Sequence, residues 1–159
     1  MKHKIQEELK LKNYTEESST ALIGDRTNDK FYDKLIKEIN STYFHEDYTA
    51  CFILSRKLFE NMVIDILRSN FKKEKELYQD LGNKKKYNDF SVLLNNLKTK
   101  RADLGFSTTE IDTIIEKLSP YRIEANSKTH SIIDFGRKEA VDKYNIEETF
   151  DLLKRVWNA

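Results

Sequence analysis

Residues 48–67 read YTACFILSRKLFENMVIDIL, and this stretch decides the fold class. Its apolar side chains recur at helical spacing, so it predicts one long helix from about residue 46 to residue 71. On a helical wheel the apolar positions cover well over half of the circumference, and only the sector of Lys57, Asn61 and Arg68 clearly faces water. A helix that is apolar nearly all round lies inside a fold, so we expect this helix to be central.

Five further helices are predicted around it, over residues 29–42, 89–104, 108–118, 120–133 and 145–157. The 159 residues include only 4 glycines and 1 proline, a scarcity that favours long helices joined by few loops. Ser107 to Glu110 (STTE) form a capping-box pattern at the start of one helix. Ser119 and Pro120 read as the cap and first residue of the next. The predicted fold is an all-α bundle of five to six helices, with helix 46–71 at its centre.

Domain organisation and location follow from composition. Residues 1–27 are weakly patterned and predict a weakly ordered arm, whereas residues 28–159 predict one domain. No run approaches the ~20 apolar residues that span a bilayer, and the first residues lack a signal-peptide core, so a cytoplasmic protein without membrane contact is expected. Cys51 is the only cysteine, which excludes an intramolecular disulfide. The formal net charge of +1 excludes a strong overall attraction to nucleic acid.

A polar stripe marks the predicted helix 120–133. Arg122, Asn126 and His130 are spaced i, i+4 and i+8, so they form one line roughly 12 Å long on one face. Ile123 and Ile133 fall in the same sector of the wheel, which predicts that the stripe is sheltered among apolar residues. Sheltered polar groups require partners within the chain, in a second subunit or on a ligand.

The central helix contains a matching polar pair in an apolar sector, Arg56 and Glu60. We expect Glu60 to lie near Arg122 or Arg56, with His130 close by, as one polar network. An architectural network that fixes helix register or a dimer interface is the alternative interpretation of the same residues.

Two segments together resemble the HEPN superfamily (higher eukaryotes and prokaryotes nucleotide-binding domains). The first is the quoted stretch with Arg56 and Glu60, and the second is YRIEANSKTHSII at residues 121–133. The Arg-x3-Asn-x3-His pattern of the second is similar to one branch of HEPN-like proteins. The resemblance implies an all-α bundle that usually forms a homodimer, and in catalytic members a metal-independent endoribonuclease of defence or toxin type.

The resemblance also implies roles for the stripe. His130 would transfer a proton, Arg122 would stabilise the charged transition state at phosphorus, and Asn126 would orient His130 or a phosphate oxygen. The ribonuclease motif usually has four to six residues between its arginine and histidine, whereas seven intervene here. A catalytically inert HEPN-like module that dimerises or binds a protein partner is therefore the second hypothesis. An unrelated helical regulatory protein is the third.

A second candidate surface is basic. Its residues would contact an RNA backbone, and they are Lys84, Lys85, Lys86, Lys98, Lys100 and Arg101. The alternative is that these side chains are simply solvated. Histidine and cysteine show no metal-ligand spacing, and there is no glycine-rich phosphate loop, so no metal and no cofactor are expected. Most aromatic residues fall on predicted core faces, so their number does not require base stacking.

Overall fold

The computed structural model describes residues 21–131 and 133–158, and over these ranges the chain is an all-α bundle without β-strands. Its helices are α1 (Lys30–Phe44), α2 (Tyr48–Asn70), α3 (Phe90–Thr99), α4 (Thr108–His130), α5 (Lys138–Lys143) and α6 (Ile146–Trp157), with 3-10 turns at Lys75–Leu77 and Arg101–Asp103. The predicted fold class is confirmed. None of the helices described is both long and apolar enough to cross a membrane.

The long helix α2 is the centre of the bundle, as its sequence predicted. It contacts α1, α3, α4, α5 and α6. Its buried residues are Cys51, Phe52, Ser55, Leu58, Phe59, Met62, Val63, Ile64, Ile66 and Leu67. Because each fully buried large apolar side chain contributes about 1.5–3 kcal/mol, this helix supplies a large share of the favourable free energy of folding.

Helix α1 begins within one residue of its predicted start and is capped by Asp29. The Asp29 carboxylate accepts hydrogen bonds from the backbone N–H groups of Phe31 and Tyr32, at 2.8 and 3.1 Å. Tyr32 faces the core, and its hydroxyl donates to Asp65 Oδ2 at 2.5 Å. Phe31 stands at helical spacing from Leu35 in the sequence, yet it is 49% exposed, because the buried face of α1 runs through Tyr32 and Leu35.

The two helices predicted over 108–118 and 120–133 are one helix, α4, with Pro120 inside it. The Ser119 hydroxyl does not cap a new helix but donates to the carbonyl of Ile115 at 2.8 Å. Proline removes a single backbone donor from the helix, and its exposed ring leaves the buried face intact. Leu118 and Tyr121 are both buried on either side of it, so packing carries the helix through the proline.

Other boundaries differ by a few residues. Helix α3 ends at Thr99 rather than 104, because the chain tightens into a 3-10 turn before Gly105, whose φ is +71°. Helix α4 ends at His130 rather than 133, and the short helix α5 was not predicted. Ser107 precedes the first residue of α4 as predicted, but its side chain makes no capping hydrogen bond.

The predicted N-terminal arm falls partly outside the described residues, which begin at residue 21. The part that is described packs on the bundle. Ile23 is buried, and its backbone N–H and carbonyl both pair with the Asn40 side chain at 2.9 Å. Ile23 therefore packs on the domain that was predicted for residues 28–159.

Gly136 fixes the approach of the segment after α4 to the start of α2. Its N–H donates to Thr49 Oγ1 at 2.9 Å. A Cβ atom at this position would lie 2.5 Å from the carbonyl carbon of Tyr48 and 2.6 Å from the backbone nitrogen of Thr49. No side chain fits there unless one of the two segments moves.

We expect Gly136→Ala to destabilise the domain by roughly 1–3 kcal/mol, because the added methyl group meets backbone atoms that cannot rotate away. Thermal unfolding followed by circular dichroism measures the change. Gly82→Ala is the matched control, since Gly82 is exposed and its added Cβ would meet only the side-chain carboxylate of Asp80. Equal unfolding temperatures for the two variants would contradict this account of Gly136.

Candidate functional site: a cleft with two arginines

A polar cleft of about 260 Å³ lies where α2, the start of α3 and the C-terminal half of α4 meet. Its lining residues are Arg56, Asp89, Phe90, Ser91, Arg122, Asn126 and His130. The cleft brings together the whole predicted stripe of α4 and the predicted arginine of α2. It contains two guanidinium groups and one carboxylate.

The stripe on α4 is held over the cleft by the buried face of the same helix. Tyr121 and Ala125 are buried against α2. The Tyr121 ring stacks on Phe52 with centroids 5.8 Å apart, and its hydroxyl donates to the Phe52 carbonyl at 2.9 Å. Because a Tyr hydroxyl inside a core requires a partner, this hydrogen bond fixes the rotation of α4 about its axis and its axial position relative to α2.

The stripe is less sheltered than its sequence predicted. Arg122 and Asn126 are partly buried, but His130 is exposed. Ile123, predicted to be one of the apolar neighbours, is 61% exposed, and Ile133 is 88% exposed. The prediction of an apolar surrounding was wrong because, within residues 21–131 and 133–158, no helix packs over this sector of α4. The imidazole consequently lies at the open edge of the cleft.

Arg56 and Glu60 pair only loosely. Arg56 Nε and Glu60 Oε2 are 3.8 Å apart, which is longer than a hydrogen bond. Arg56 Nε is shielded from solvent and has no hydrogen-bond partner among the described residues. A guanidinium group that one carboxylate does not saturate keeps donors free for another anion.

The two carboxylates near Arg56 differ in position. Asp89 lines the cleft together with Arg56, whereas Glu60 pairs with Arg56 outside the cleft lining. Burial raises the pKa of the Glu60 carboxyl, Arg56 opposes that rise and Asp89 adds to it. The expectation that Glu60 lies near Arg122 or Arg56 holds for Arg56. Arg56 is the residue that connects the pair to the stripe.

The C-terminal end of α4 is anchored by ion pairs between a buried lysine and two partly exposed carboxylates. Lys128 is buried, and its ammonium contacts Asp134 at 2.5 Å and Glu124 at 3.0 Å. Asp134 also accepts a hydrogen bond from the Ser127 hydroxyl. This pairing anchors the segment after His130 to the last turns of the helix.

The pKa shifts of Lys128 and Asp134 agree with that anchoring. Burial opposes the charge of Lys128, yet its hydrogen bonds to Asp134 and Glu124 raise the pKa of the ammonium overall. Hydrogen bonds from Lys128 and Ser127 lower the pKa of Asp134. Both groups are therefore charged near neutral pH. The ion pair weakens only when acid protonates Asp134 or strong base neutralises Lys128.

The predicted basic surface divides into two groups. Lys84, Lys85 and Lys86 are exposed on a turn between the first 3-10 turn and α3, and Lys98 is exposed on α3. Lys100 contacts Glu74 at 2.5 Å, and Arg101 contacts Asp112 at 3.3 Å. The positive charges of Lys100 and Arg101 are thus largely compensated by these two carboxylates.

Three cleft residues, Asp89, Phe90 and Ser91, were not predicted as site residues. They form the start of α3, and Phe90 was assigned to the core from its spacing. The predicted start of that helix was the available signal, because a helix start exposes backbone N–H groups. Nothing in the spacing indicated that this start faces α4. No cluster of three or more His, Cys, Asp or Glu suited to a metal ion occurs in residues 21–131 and 133–158.

Comparison with known proteins yields one distant relative. The tRNA (guanine(10)-N(2))-methyltransferase of Saccharomyces cerevisiae is 26% identical to this chain over 144 residues. The match covers 77% of the chain and 33% of that enzyme, so the chain spans about a third of its relative's length. No protein-family model matches the chain, and no solved structure matches it.

Lys128→Met tests the anchoring of the α4 end. We expect it to lower the unfolding temperature by several degrees, because it leaves Asp134 and Glu124 without their buried partner. Lys34→Met is the control, since Lys34 is exposed and lies 4.0 Å from Glu38 on the same helix. Scanning calorimetry measures both variants. A loss no larger than that of the control would show that the ion pair contributes little to stability.

Proposed function

We propose that this chain is an RNA-binding domain whose cleft holds a phosphate group of the RNA backbone. The observation that carries the proposal is that Arg56 and Arg122, from two different helices, converge on one cleft with Asn126 and His130. Guanidinium groups bind phosphate oxygens through paired, charge-assisted hydrogen bonds. Two of them outweigh the single carboxylate of Asp89 in the same cleft.

Two further observations support an RNA ligand over another anion. The relative is by its name an enzyme that modifies a guanine of tRNA, and the match covers most of the present chain. The resemblance of the α2 and α4 segments to the HEPN superfamily also implies RNA. The contact between α2 and α4 places the two resembling segments side by side.

The proposed reaction is cleavage of the RNA backbone by its own 2′-hydroxyl, as in the catalytic HEPN-like proteins. The 2′-oxygen forms a bond to the adjacent phosphorus while the bond to the 5′-oxygen of the next nucleotide breaks. A base removes the proton of the 2′-hydroxyl, and an acid gives a proton to the departing 5′-oxygen. The products are a 2′,3′-cyclic phosphate and a 5′-hydroxyl end. No metal ion enters this scheme.

Four residues of the cleft have a part in this scheme. Arg122 and Arg56 stabilise the negative charge that grows on the phosphate oxygens. Asn126 lies one helical turn from both Arg122 and His130 and orients the phosphate or the imidazole. His130 transfers one proton, since an imidazole nitrogen can either accept or donate a proton. The second proton transfer requires a second group, and in a homodimer the His130 of the other copy supplies it.

A second candidate function is a catalytically inert HEPN-like module that dimerises or binds a protein. Exposed apolar side chains on α4 and in the segment after it favour it. Ile123 is 61% exposed, Ile133 88% and Phe135 70%, and the last two line a separate groove with Glu124 and Lys128. Exposed apolar side chains are typical of a surface that another chain covers. Under this hypothesis the arginines organise an interface, and RNA is not cleaved.

Arg122→Ala and Arg56→Ala test RNA binding by the cleft. Each is expected to weaken binding of a fluorescent RNA about ten- to a hundredfold, because a charge-assisted hydrogen bond contributes about 1.5–3 kcal/mol. Arg155→Ala is the charge-matched control, since Arg155 is exposed on α6 and contacts Glu110. Fluorescence anisotropy at one fixed salt concentration measures the affinities. Equal losses of RNA affinity in all three variants would mean that binding depends only on the overall charge of the protein.

His130→Ala separates cleavage from binding. We expect this variant to retain RNA affinity within a few-fold while losing cleavage, and we expect wild-type cleavage to persist in EDTA. Denaturing gels of end-labelled RNA measure the products, with Arg155→Ala again as the control. Cleavage at the wild-type rate by His130→Ala would remove the imidazole from the mechanism. Absence of cleavage with intact binding in the wild type would favour the inert module.

A further inference from the structure

The turn formed by residues 79–87 presents an exposed aromatic ring beside three exposed lysines. Tyr87 is 50% exposed, and Lys84, Lys85 and Lys86 immediately precede it. Among the described residues, these lysines form no ion pair, and the Tyr87 ring neither pairs with another ring nor donates a hydrogen bond. The ring and the charges are therefore available to a ligand.

The turn is a rigid platform rather than a loose loop. A bridge joins Gln79 to Tyr87, and backbone hydrogen bonds run from Asp80 N–H to the Lys86 carbonyl at 3.1 Å and from Lys86 N–H to the Asn83 carbonyl at 2.8 Å. The Gln79 side chain adds a bond to the Lys84 carbonyl at 2.6 Å. These bonds hold the backbone beneath the lysines and the ring, which lowers the entropy lost on binding.

The base of the turn is fastened to the bundle. Leu77 and Tyr78 are buried, and the Asn96 side chain of α3 donates to the Leu77 carbonyl at 2.8 Å. Asn88, the residue after Tyr87, donates through its backbone to the Tyr78 carbonyl at 3.0 Å and through its side chain to the Glu76 carbonyl at 2.8 Å. The position of the turn relative to α3 is thereby fixed.

The turn continues directly into the wall of the cleft. Asp89, two residues after Tyr87, begins the segment 89–91 that lines the cleft. Two residues of extended chain span at most about 7 Å, so the backbone at Tyr87 is within that distance of the cleft wall. When one phosphate of an RNA strand lies between Arg56 and Arg122, the neighbouring nucleotides of that RNA are thus within reach of the turn.

We propose that the ligand is single-stranded RNA, with a base stacked on Tyr87 and flanking phosphates held by Lys84, Lys85 and Lys86. The proposal rests on the proposed function, because it extends the same bound strand out of the cleft. An aromatic ring stacks on a base only when that base is free of its helix, whereas lysines alone would bind either form. The aromatic ring therefore selects single strands over duplexes.

The test uses the full chain and compares a short fluorescent RNA as a single strand with the same RNA annealed to its complement. Anisotropy titrations at one salt concentration give affinities for the wild type, Tyr87→Ala and Tyr87→Phe. We expect Tyr87→Ala to lose about tenfold in single-strand affinity, Tyr87→Phe to keep it, and duplex affinity to be weak and unchanged. Phe31→Ala is the control, since Phe31 is an equally exposed aromatic residue outside the cleft lining.

The outcomes separate the two proposals. If Tyr87→Ala binds single strands as the wild type does, or if duplex binds as tightly as single strand, the stacking proposal is wrong. Arg122→Ala measured on the same RNA then decides whether the cleft still binds it. If the wild type binds neither form, both proposals fall, and an acidic protein becomes the better partner for the lysines. Circular dichroism shows that each variant is folded.

Discussion

The contact between Tyr121 and Phe52 is the constraint on which the candidate site depends. Ring stacking and the hydroxyl-to-carbonyl bond join the middle of α4 to the middle of α2. A helix fixed at one buried tyrosine has a defined rotation, so the next residue, Arg122, is directed to the side of that contact. Asn126 follows from the helical repeat one turn later, and His130 after another. The same rotation leaves Ile123 of α4 exposed to solvent.

Much of the fold was predictable from sequence because burial leaves a periodic signature. The apolar circumference of α2 required a central position, and helical spacing over residues 29–42 predicted α1. The helix break predicted at Pro120 was wrong because that prediction relied on a local signal and not on burial. A proline is a local signal, whereas the buried Leu118 and Tyr121 on either side of it belong to one packed face. Packing of that face outweighs the one hydrogen bond that proline removes. Short α5 has too few residues to show a period.

The candidate site was predictable only as far as one helix extends. The spacing of Arg122, Asn126 and His130 placed them on one line, and their shared cleft agrees with that placement. The sequence did not predict the third wall, because Asp89 to Ser91 reach the cleft through the packing of α3 on α2 and α4. The sequence also did not predict the solvent exposure of the stripe correctly, because a helical wheel describes the faces of one helix and not the elements that pack on them. Exposure of His130 is a property of the whole bundle.

Arg56 belongs both to the central helix α2 and to the lining of the cleft. It lies on the central helix, where a charge without a full set of hydrogen bonds is costly. Its carboxylate neighbour Glu60 is 3.8 Å away and has a raised pKa, so the pair is not a tight, saturated ion pair that would account for the arginine by itself. The proposed phosphate ligand would supply an acceptor to this guanidinium group. The imperfect pairing of Arg56, more than the presence of arginines as such, therefore supports the proposal of a binding cleft over a solvated groove between three helices.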